Sequence, residues 1–169
     1  PVRVIVDQRA NGPNPKNATI LKMLRDGGIP MRERFTGGIL HHARALAAVL
    51  APTVNSYKRL IRGSPVSGAT WAPVYVTYGP ANRTQMIRIP APGRIENRMA
   101  DGAANPYLVC AATLAAGLDG IERKIDPGRP NRDNLYAVSE EELRRREIGF
   151  LPTTLREAVD CLAGDDLIK

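Results

Sequence analysis

The chain has 169 residues, of which 43% are hydrophobic and 24% charged, and its formal net charge is +7. These values predict a soluble protein of one domain, or a piece of a larger one, because no run of about 18 apolar residues occurs. Two cysteines are too few for a disulfide framework or a zinc knuckle, which favours a reducing, cytoplasmic setting.

The first 35 residues contain a strand-like run over residues 2–6 and a short helical pattern, but no motif that carries chemistry. We leave residues 1–35 unassigned. The chain starts at Pro1 and not at a methionine, which indicates an excerpt or a processed chain.

Apolar residues recur at helical spacing from Ile39 to Leu50, which predicts a helix over residues 36–50 with Thr36 as its N-cap. His41 and His42 are adjacent, so they project on different faces and cannot form an i, i+4 metal pair. We interpret them as surface or packing histidines. A loop rich in Ser, Gly and Pro is then predicted over residues 55–72.

Three strands are predicted next, over residues 73–78, 85–89 and 93–99. Tight turns connect them, which favours antiparallel pairing. Side chains alternate across a strand, so Glu96 shares a face with the arginines two residues before and after it. Arg88 points away from its isoleucine neighbours and can lie on the same face of the sheet.

Helices dominate the remainder. Asn105 and Pro106 are a favoured N-cap and first residue for an apolar helix that we expect to be buried and to reach about Gly117, with a resumption through Ile121 and Ile125 left open. Capping patterns at Ser139 and Thr154 predict two further helices. The expected fold is α+β, an antiparallel sheet backed by helices, with residues 36–169 as the functional domain.

Arginine recurs in three segments where anion chemistry could use it, since 19 of the basic residues are Arg and 5 are Lys. One segment holds Arg59, the second Arg83 and Arg88, and the third Glu96 and Arg98. Several guanidiniums around one carboxylate repel each other unless an anion fills the gap, which is typical of a binding site. The alternative is a solvated strand face with a surface ion pair.

The order and spacing of six motifs resemble the glutamine synthetase family, in the C-terminal part of its catalytic domain. The motifs lie at residues 55–60, 82–90, 93–98, 105–108, 116–121 and 134–136. The stretch over residues 67–73 is most similar to the branch that comprises the rhizobial type III enzymes and the γ-glutamylmethylamide synthetases.

The resemblance implies an ATP-dependent ligase that joins glutamate and ammonia into glutamine through a γ-glutamyl phosphate, with Mg²⁺ or Mn²⁺. By motif position, Arg59 and Arg98 resemble glutamate-binding residues, and Arg83 and Arg88 resemble residues that contact the ATP phosphates. Arg59 and Arg83 are the candidate catalytic residues, and Glu96 resembles a metal ligand. Relatives form homo-oligomeric rings, so we expect the intact protein to be a homo-oligomer in the cytoplasm, without nucleic-acid or membrane partners.

Two departures from the family pattern leave alternatives open. Trp71 stands near the position of a family glutamate that helps to deprotonate ammonium, so methylamine or another small amine is an alternative acceptor. The other metal-binding glutamates and the histidine of the family are absent from residues 1–35. The chain could therefore be an inactive fragment, or a basic module that binds phosphate or nucleic acid through its net charge and Arg144 to Arg146.

Overall fold

The computed structural model describes residues 31–62, 72–80, 83–91 and 94–169. Within these residues the helices are α1 (Met31–His41), α2 (Ala43–Leu50), α3 (Val54–Arg59), α4 (Pro106–Glu122), α5 (Glu140–Arg145) and α6 (Leu155–Ala163). The strands are β1 (Tyr75–Pro80), β2 (Gln85–Ile89), β3 (Glu96–Asn97) and β4 (Gly149–Phe150). A 3₁₀ turn covers Leu135–Ala137. The predicted α+β class is confirmed.

The four strands form one mixed sheet in the order β3-β2-β1-β4. β3 runs antiparallel to β2, and β4 runs antiparallel to β1. The prediction that β1 and β2 pair antiparallel is wrong, because Tyr75 pairs with Gln85 and Pro80 pairs with Ile89 in the same direction. A short connection does not force a hairpin, since five residues of extended chain reach about 16–18 Å, the length of a short strand.

The predicted helix over residues 36–50 is two helices, α1 and α2, and the described part of α1 already starts at Met31. Thr36 is therefore not an N-cap. Its hydroxyl donates a hydrogen bond to the carbonyl of Arg32, one turn earlier in the same helix (2.8 Å). The two helices meet at His42, which keeps its backbone hydrogen bonds to Gly38 (3.1 Å) and from Leu46 (2.9 Å). Its buried side chain makes interactions described below.

Helix α4 crosses α1 at backbone contact distance. A Cβ atom on Gly38 would lie 2.0 Å from the carbonyl oxygen of Ala116, and one on Gly120 would lie 2.4 Å from the nitrogen of Gly38. A Cβ on Gly117 would overlap the ring of Phe35. These glycines serve close packing, which explains why α4 passes Gly117 without a break and ends at Glu122, consistent with the expected resumption through Ile121.

The prediction that α4 is buried is correct for only one side of the helix. Asn105 caps it through its side-chain oxygen, as predicted, and Val109, Thr113 and Ala116 are buried. The opposite side carries large apolar residues that are exposed, among them Tyr107 and Leu118.

The first part of the predicted loop over residues 55–72 is helical. Thr53 and Ser56 form a capping box that starts α3. Tyr57 donates a hydrogen bond to the carbonyl of Ala47 in α2 (3.2 Å), and burial raises the pKa of Tyr57 to about 12. This contact anchors α3, so the position of Arg59 at its end is fixed.

The two C-terminal helices start as predicted. The backbone N–H of Glu142 donates to Ser139 Oγ (3.2 Å), and that of Glu157 donates to Thr154 Oγ1 (3.1 Å). Gly164 follows the last residue of α6 as its C-cap. Among the described residues, none of the helices combines the length and the hydropathy that a bilayer-spanning segment needs.

Candidate active site on strands β2 and β3

The centre of the site is a cross-strand pair. Arg88 on β2 lies directly opposite Glu96 on β3, and the guanidinium donates a hydrogen bond to Glu96 Oε2 (3.3 Å). The side chain of Glu96 is 7% exposed and that of Arg88 is 31% exposed. The predicted shared face is therefore confirmed for these two residues, and the contact is more than a solvated surface pair.

Arg98 continues this face beyond the end of β3. Its guanidinium donates to the backbone carbonyls of Arg83 and Gln85, the second at 3.4 Å. Burial, followed by repulsion from Arg83, lowers the pKa of Arg98 to about 10, and Glu96 acts in the opposite direction. Three guanidiniums thus lie close enough to influence one another around one carboxylate.

Arg59 reaches the same region from the end of α3. Its two terminal nitrogens donate to the carbonyls of Arg98 and Met99. Although Arg59 is exposed as a residue, contact with this backbone desolvates its guanidinium and lowers its pKa, and nearby Asp101 partly offsets the effect. The structure therefore brings together all five predicted site residues: Arg59, Arg83, Arg88, Glu96 and Arg98.

The electrostatics of this cluster favour an anionic ligand. Crowded, partly desolvated cations gain when a phosphate or carboxylate group neutralises them, and planar guanidiniums bind such groups with two parallel hydrogen bonds. The Nε atoms of Arg88 and Arg94 are buried and make no hydrogen bond to the described residues. Both atoms are donors that an anion could satisfy.

The described residues do not by themselves provide a metal site. Glu96 offers carboxylate oxygens of the kind that Mg²⁺ and Mn²⁺ prefer. No group of three or more His, Cys, Asp or Glu side chains that could hold a metal ion is found in the described ranges. Glu96 could thus contribute one ligand of a site that other groups must complete.

Sequence reasoning missed two anchors beside this cluster. Tyr136 is buried and donates a hydrogen bond to the carbonyl of Ala72 (2.8 Å), which precedes β1. Arg62 donates to the carbonyl of Val138 (3.5 Å) and pairs with Glu140 (3.5 Å). The segment around the 3₁₀ turn therefore holds the residues on both sides of the undescribed stretch 63–71. Only the spacing of the Asn-Leu-Tyr motif hinted at a role for Tyr136.

A second missed feature is a buried charge cluster away from the site. His42 is 5% exposed and lies between two carboxylates, with Nδ1 2.7 Å from Asp165 and Nε2 3.0 Å from Asp119. Asp119 also accepts a hydrogen bond from Arg123 (3.0 Å). The interpretation of His42 as a packing histidine is confirmed, but its partners are distant in sequence and no local signal reveals them.

The basic triplet at the end of α5 is neutralised by nearby acids. Arg145 and Arg146 both hydrogen-bond to Glu142, and these bonds lower the pKa of Glu142 to about 2. Arg146 also pairs with Asp133. This arrangement argues against a nucleic-acid surface at the triplet. Trp71, the residue on which the alternative amine acceptor depends, lies outside the described residues.

Comparison with known proteins identifies the family of this chain. The model of the family described as glutamine synthetase, catalytic domain, matches residues 25–169. A glutamate–methylamine ligase of Methyloversatilis universalis is 50% identical over 135 residues, which are 80% of this chain and 30% of that protein. A glutamine synthetase of Rhizobium meliloti is 57% identical over 102 residues, 60% of this chain and 23% of that protein.

Solved structures agree with the sequence comparison. A complex of GmaS with ADP superimposes with a TM-score of 0.73 at 47% identity, covering 86% of this chain and 34% of the GmaS chain. Apo GmaS gives a TM-score of 0.69 at 44% identity, with 86% and 32% covered. The chain spans about a third or less of the length of these relatives. The chain belongs to the glutamine synthetase catalytic-domain family.

Proposed function

We propose that residues 36–169 are the C-terminal portion of an ATP-dependent ligase that joins glutamate and ammonia to form glutamine. The observation that carries this proposal is the arginine cluster around Glu96, in a chain of the glutamine synthetase family. The reaction proceeds in two steps, in which ATP phosphorylates the γ-carboxylate of glutamate and ammonia then displaces phosphate from the acyl phosphate.

The residue roles follow from charge and position. Arg83 is exposed and Arg88 is partly exposed, so both can contact nucleotide phosphates and neutralise the charge that develops during phosphoryl transfer. Arg59 and Arg98 are joined through the backbone of residues 98 and 99, and they are proposed to hold the carboxylates of glutamate. Glu96 orients Arg88 and can give a carboxylate oxygen to Mg²⁺ or Mn²⁺.

A divalent ion, when bound, would screen the phosphate charges, and its other ligands would come from outside the described residues. This proposal is consistent with a chain that spans only part of its relatives. Homo-oligomeric assembly and a cytoplasmic location stay predictions.

The second candidate acceptor is methylamine. It is favoured by the 50% identity to a glutamate–methylamine ligase and by the likeness to GmaS. If Trp71 stands at the acceptor, as the family resemblance implies, its apolar ring would suit an alkylated amine better than an ammonium ion.

A chimera tests both candidates. Residues 25–169 replace the matched part of the Methyloversatilis universalis ligase, and ADP release is measured with glutamate plus ammonia or plus methylamine. We expect glutamate-dependent turnover that is faster with ammonia than with methylamine. Arg98→Lys should raise the KM for glutamate about tenfold, because lysine cannot make the bidentate hydrogen bond of a guanidinium to a carboxylate.

Arg145→Lys is the matched control, because Arg145 lies on α5 and pairs with Glu142. If the chimera turns over methylamine faster than ammonia, the acceptor is methylamine and not ammonia. A folded chimera without turnover, or equal effects of Arg98→Lys and Arg145→Lys on KM, would contradict the proposed site.

A further inference from the structure

Thr84 is a fully buried polar residue beside the arginine cluster, and the proposed function gives it no role. The residues on either side of it, Arg83 and Gln85, both accept hydrogen bonds from the guanidinium of Arg98 through their backbone carbonyls. Because each peptide unit is planar, the backbone dihedral angles of Thr84 and Gln85 determine how these two carbonyls are oriented relative to each other. The conformation at Thr84 therefore decides whether both carbonyls can reach Arg98.

The side chain of Thr84 is held by the 3₁₀ turn that covers Leu135–Ala137. The backbone N–H of Leu135 donates a hydrogen bond to Thr84 Oγ1 (3.4 Å). Leu135 is 0% exposed, so solvent does not reach this N–H and cannot replace the hydroxyl as its acceptor. Because a buried N–H without an acceptor is costly, the contact restrains both the turn and residue 84.

The 3₁₀ turn is itself anchored on both sides. The side-chain oxygen of Asn134 accepts a hydrogen bond from the N–H of Tyr136 (3.2 Å), and the hydroxyl of Tyr136 donates to the carbonyl of Ala72 (2.8 Å). Leu135 packs in a buried apolar cluster with residues of β1 and α5. Contacts with these elements thus set the position of the turn, and the hydroxyl of Thr84 connects that position to the arginine cluster.

The same turn also influences Arg98 directly. Burial is the largest influence on the pKa of Arg98 and lowers it, whereas Glu96 and Tyr136 act in the opposite direction. Tyr136 therefore lies close enough to Arg98 to affect its charge. A guanidinium that has lost part of its hydration depends on the hydrogen-bond acceptors around it, which here are backbone carbonyls next to Thr84.

We propose that Thr84 is a positioning residue for Arg98. By accepting the N–H of Leu135, it fixes the backbone of residues 83–85, and this backbone holds the guanidinium of Arg98 in one orientation through two carbonyls. Where Arg98 holds a carboxylate of glutamate, a fixed orientation reduces the entropy that is lost on binding. This last step rests on the proposed function, and the positioning of Arg98 does not.

Substitutions of Thr84 separate positioning from packing. Thr84→Val removes the hydroxyl and keeps the shape of the side chain, whereas Thr84→Ser keeps a hydroxyl. Thr113→Val on α4 is the matched control, because Thr113 is 2% exposed and its hydroxyl makes no hydrogen bond to the described residues. If Thr84→Val does not fold, Thr84→Cys is compared with Thr113→Cys, and a smaller effect in the same direction is expected because sulfur is a weak acceptor.

The first measurement follows Arg98 and does not depend on catalysis. The 169-residue chain is reacted with phenylglyoxal, a dicarbonyl that labels guanidinium groups, and the labelled sites are quantified by peptide mass spectrometry. Arg145, whose side chain is 77% exposed, is the internal reference. Relative to Arg145, Arg98 should be labelled about fivefold faster in Thr84→Val, the factor that corresponds to an ordinary hydrogen bond. Thr84→Ser and Thr113→Val should stay within about twofold of the parent chain.

The second measurement tests the consequence for glutamate in the chimera described above. Thr84→Val should raise the KM for glutamate about fivefold and change kcat by less than about twofold, because the lost orientation weakens binding of the ground state and the transition state alike. Thr84→Ser should recover the parent KM, and Thr113→Val should retain it. A role in stability alone would lower the melting temperature without this change in KM.

Equal labelling of Arg98 in Thr84→Val and Thr113→Val would overturn the inference, and so would a Thr84→Ser variant that behaves like Thr84→Val. Faster labelling with an unchanged KM for glutamate, in a chimera that turns over, would overturn the connection to substrate binding. A chimera without turnover contradicts the proposed function instead, and the labelling of Arg98 then still decides whether Thr84 positions it.

Discussion

Replacing His42 by alanine tests whether the buried charge cluster holds α1, α4 and the C-terminal turn together. The substitution removes the contacts of the ring with two carboxylates, at 2.7 Å to Asp165 and 3.0 Å to Asp119, and the ring donates to both when each of its nitrogens carries a proton. Hydrogen bonds to charged groups contribute about 1.5–3 kcal/mol each. Asp119 still accepts a hydrogen bond from Arg123, and Asp165 still accepts two from backbone N–H groups, so neither carboxylate is left without a hydrogen-bond donor.

The lower end of that range therefore applies to each bond, and we expect His42→Ala to lower the free energy of unfolding by about 3 kcal/mol. Urea unfolding followed by circular dichroism measures the change. His41→Ala is the matched control, because the adjacent ring is exposed, and it should cost less than about 0.5 kcal/mol.

The same cluster predicts a dependence on pH. Burial tends to raise the pKa of Asp119 and of Asp165, but the hydrogen bond from His42 and further donors outweigh it, so both values lie below the ordinary 3.8. A depressed carboxyl pKa stabilises the fold above pH 3.8, and this stabilisation is lost as the pH falls through the lower folded-state values. In His42→Ala the free energy of unfolding should therefore fall less steeply as the pH is lowered below 3.8. If His42→Ala and His41→Ala have the same free energy of unfolding and the same dependence of it on acid pH, the reasoning is refuted.

Two further substitutions test packing contacts of the fold. Gly120→Ala should lower the free energy of unfolding by about 3 kcal/mol, because its Cβ would meet the backbone of α1 at 2.4 Å; Gly164→Ala, with no atom nearer than 3.7 Å, is the control in the same urea titration. Tyr136→Phe should cost about 0.5–1.5 kcal/mol, because the carbonyl of Ala72 loses the Tyr136 hydroxyl but keeps the N–H of Val74 (2.9 Å), and an unchanged urea midpoint would show that the hydrogen bond contributes nothing.

Local signals in the sequence were sufficient for three of the helix starts and for the shared sheet face of Arg88 and Glu96, whereas the predicted start at Thr36 was wrong. Asn105, Ser139 and Thr154 cap their helices as predicted, because capping depends on side chains within three residues of the helix end. Arg88 and Glu96 share a sheet face because strand alternation fixes which side each residue occupies.

Features that depend on contacts between residues distant in sequence could not be predicted from local sequence patterns. The parallel pairing of β1 with β2 joins strands that a turn motif alone would make antiparallel, so the local sequence does not report it. Gly117 and Gly120 look like helix breakers in sequence, but they are positions where α1 comes close to α4. His42 meets Asp119 and Asp165, which are 77 and 123 residues away, so only the folded chain brings the three together.

The most direct test of the arginine cluster as a phosphate-binding site is calorimetric titration of ADP into the chimera. Arg88→Gln removes one guanidinium and should weaken binding about tenfold or more, since a charged hydrogen bond is worth about 1.5–3 kcal/mol. Arg145→Gln, on α5, should leave the Kd unchanged. An ADP affinity that is unaffected by Arg88→Gln, in a chimera that binds ADP, would contradict the assignment of this cluster to the nucleotide phosphates.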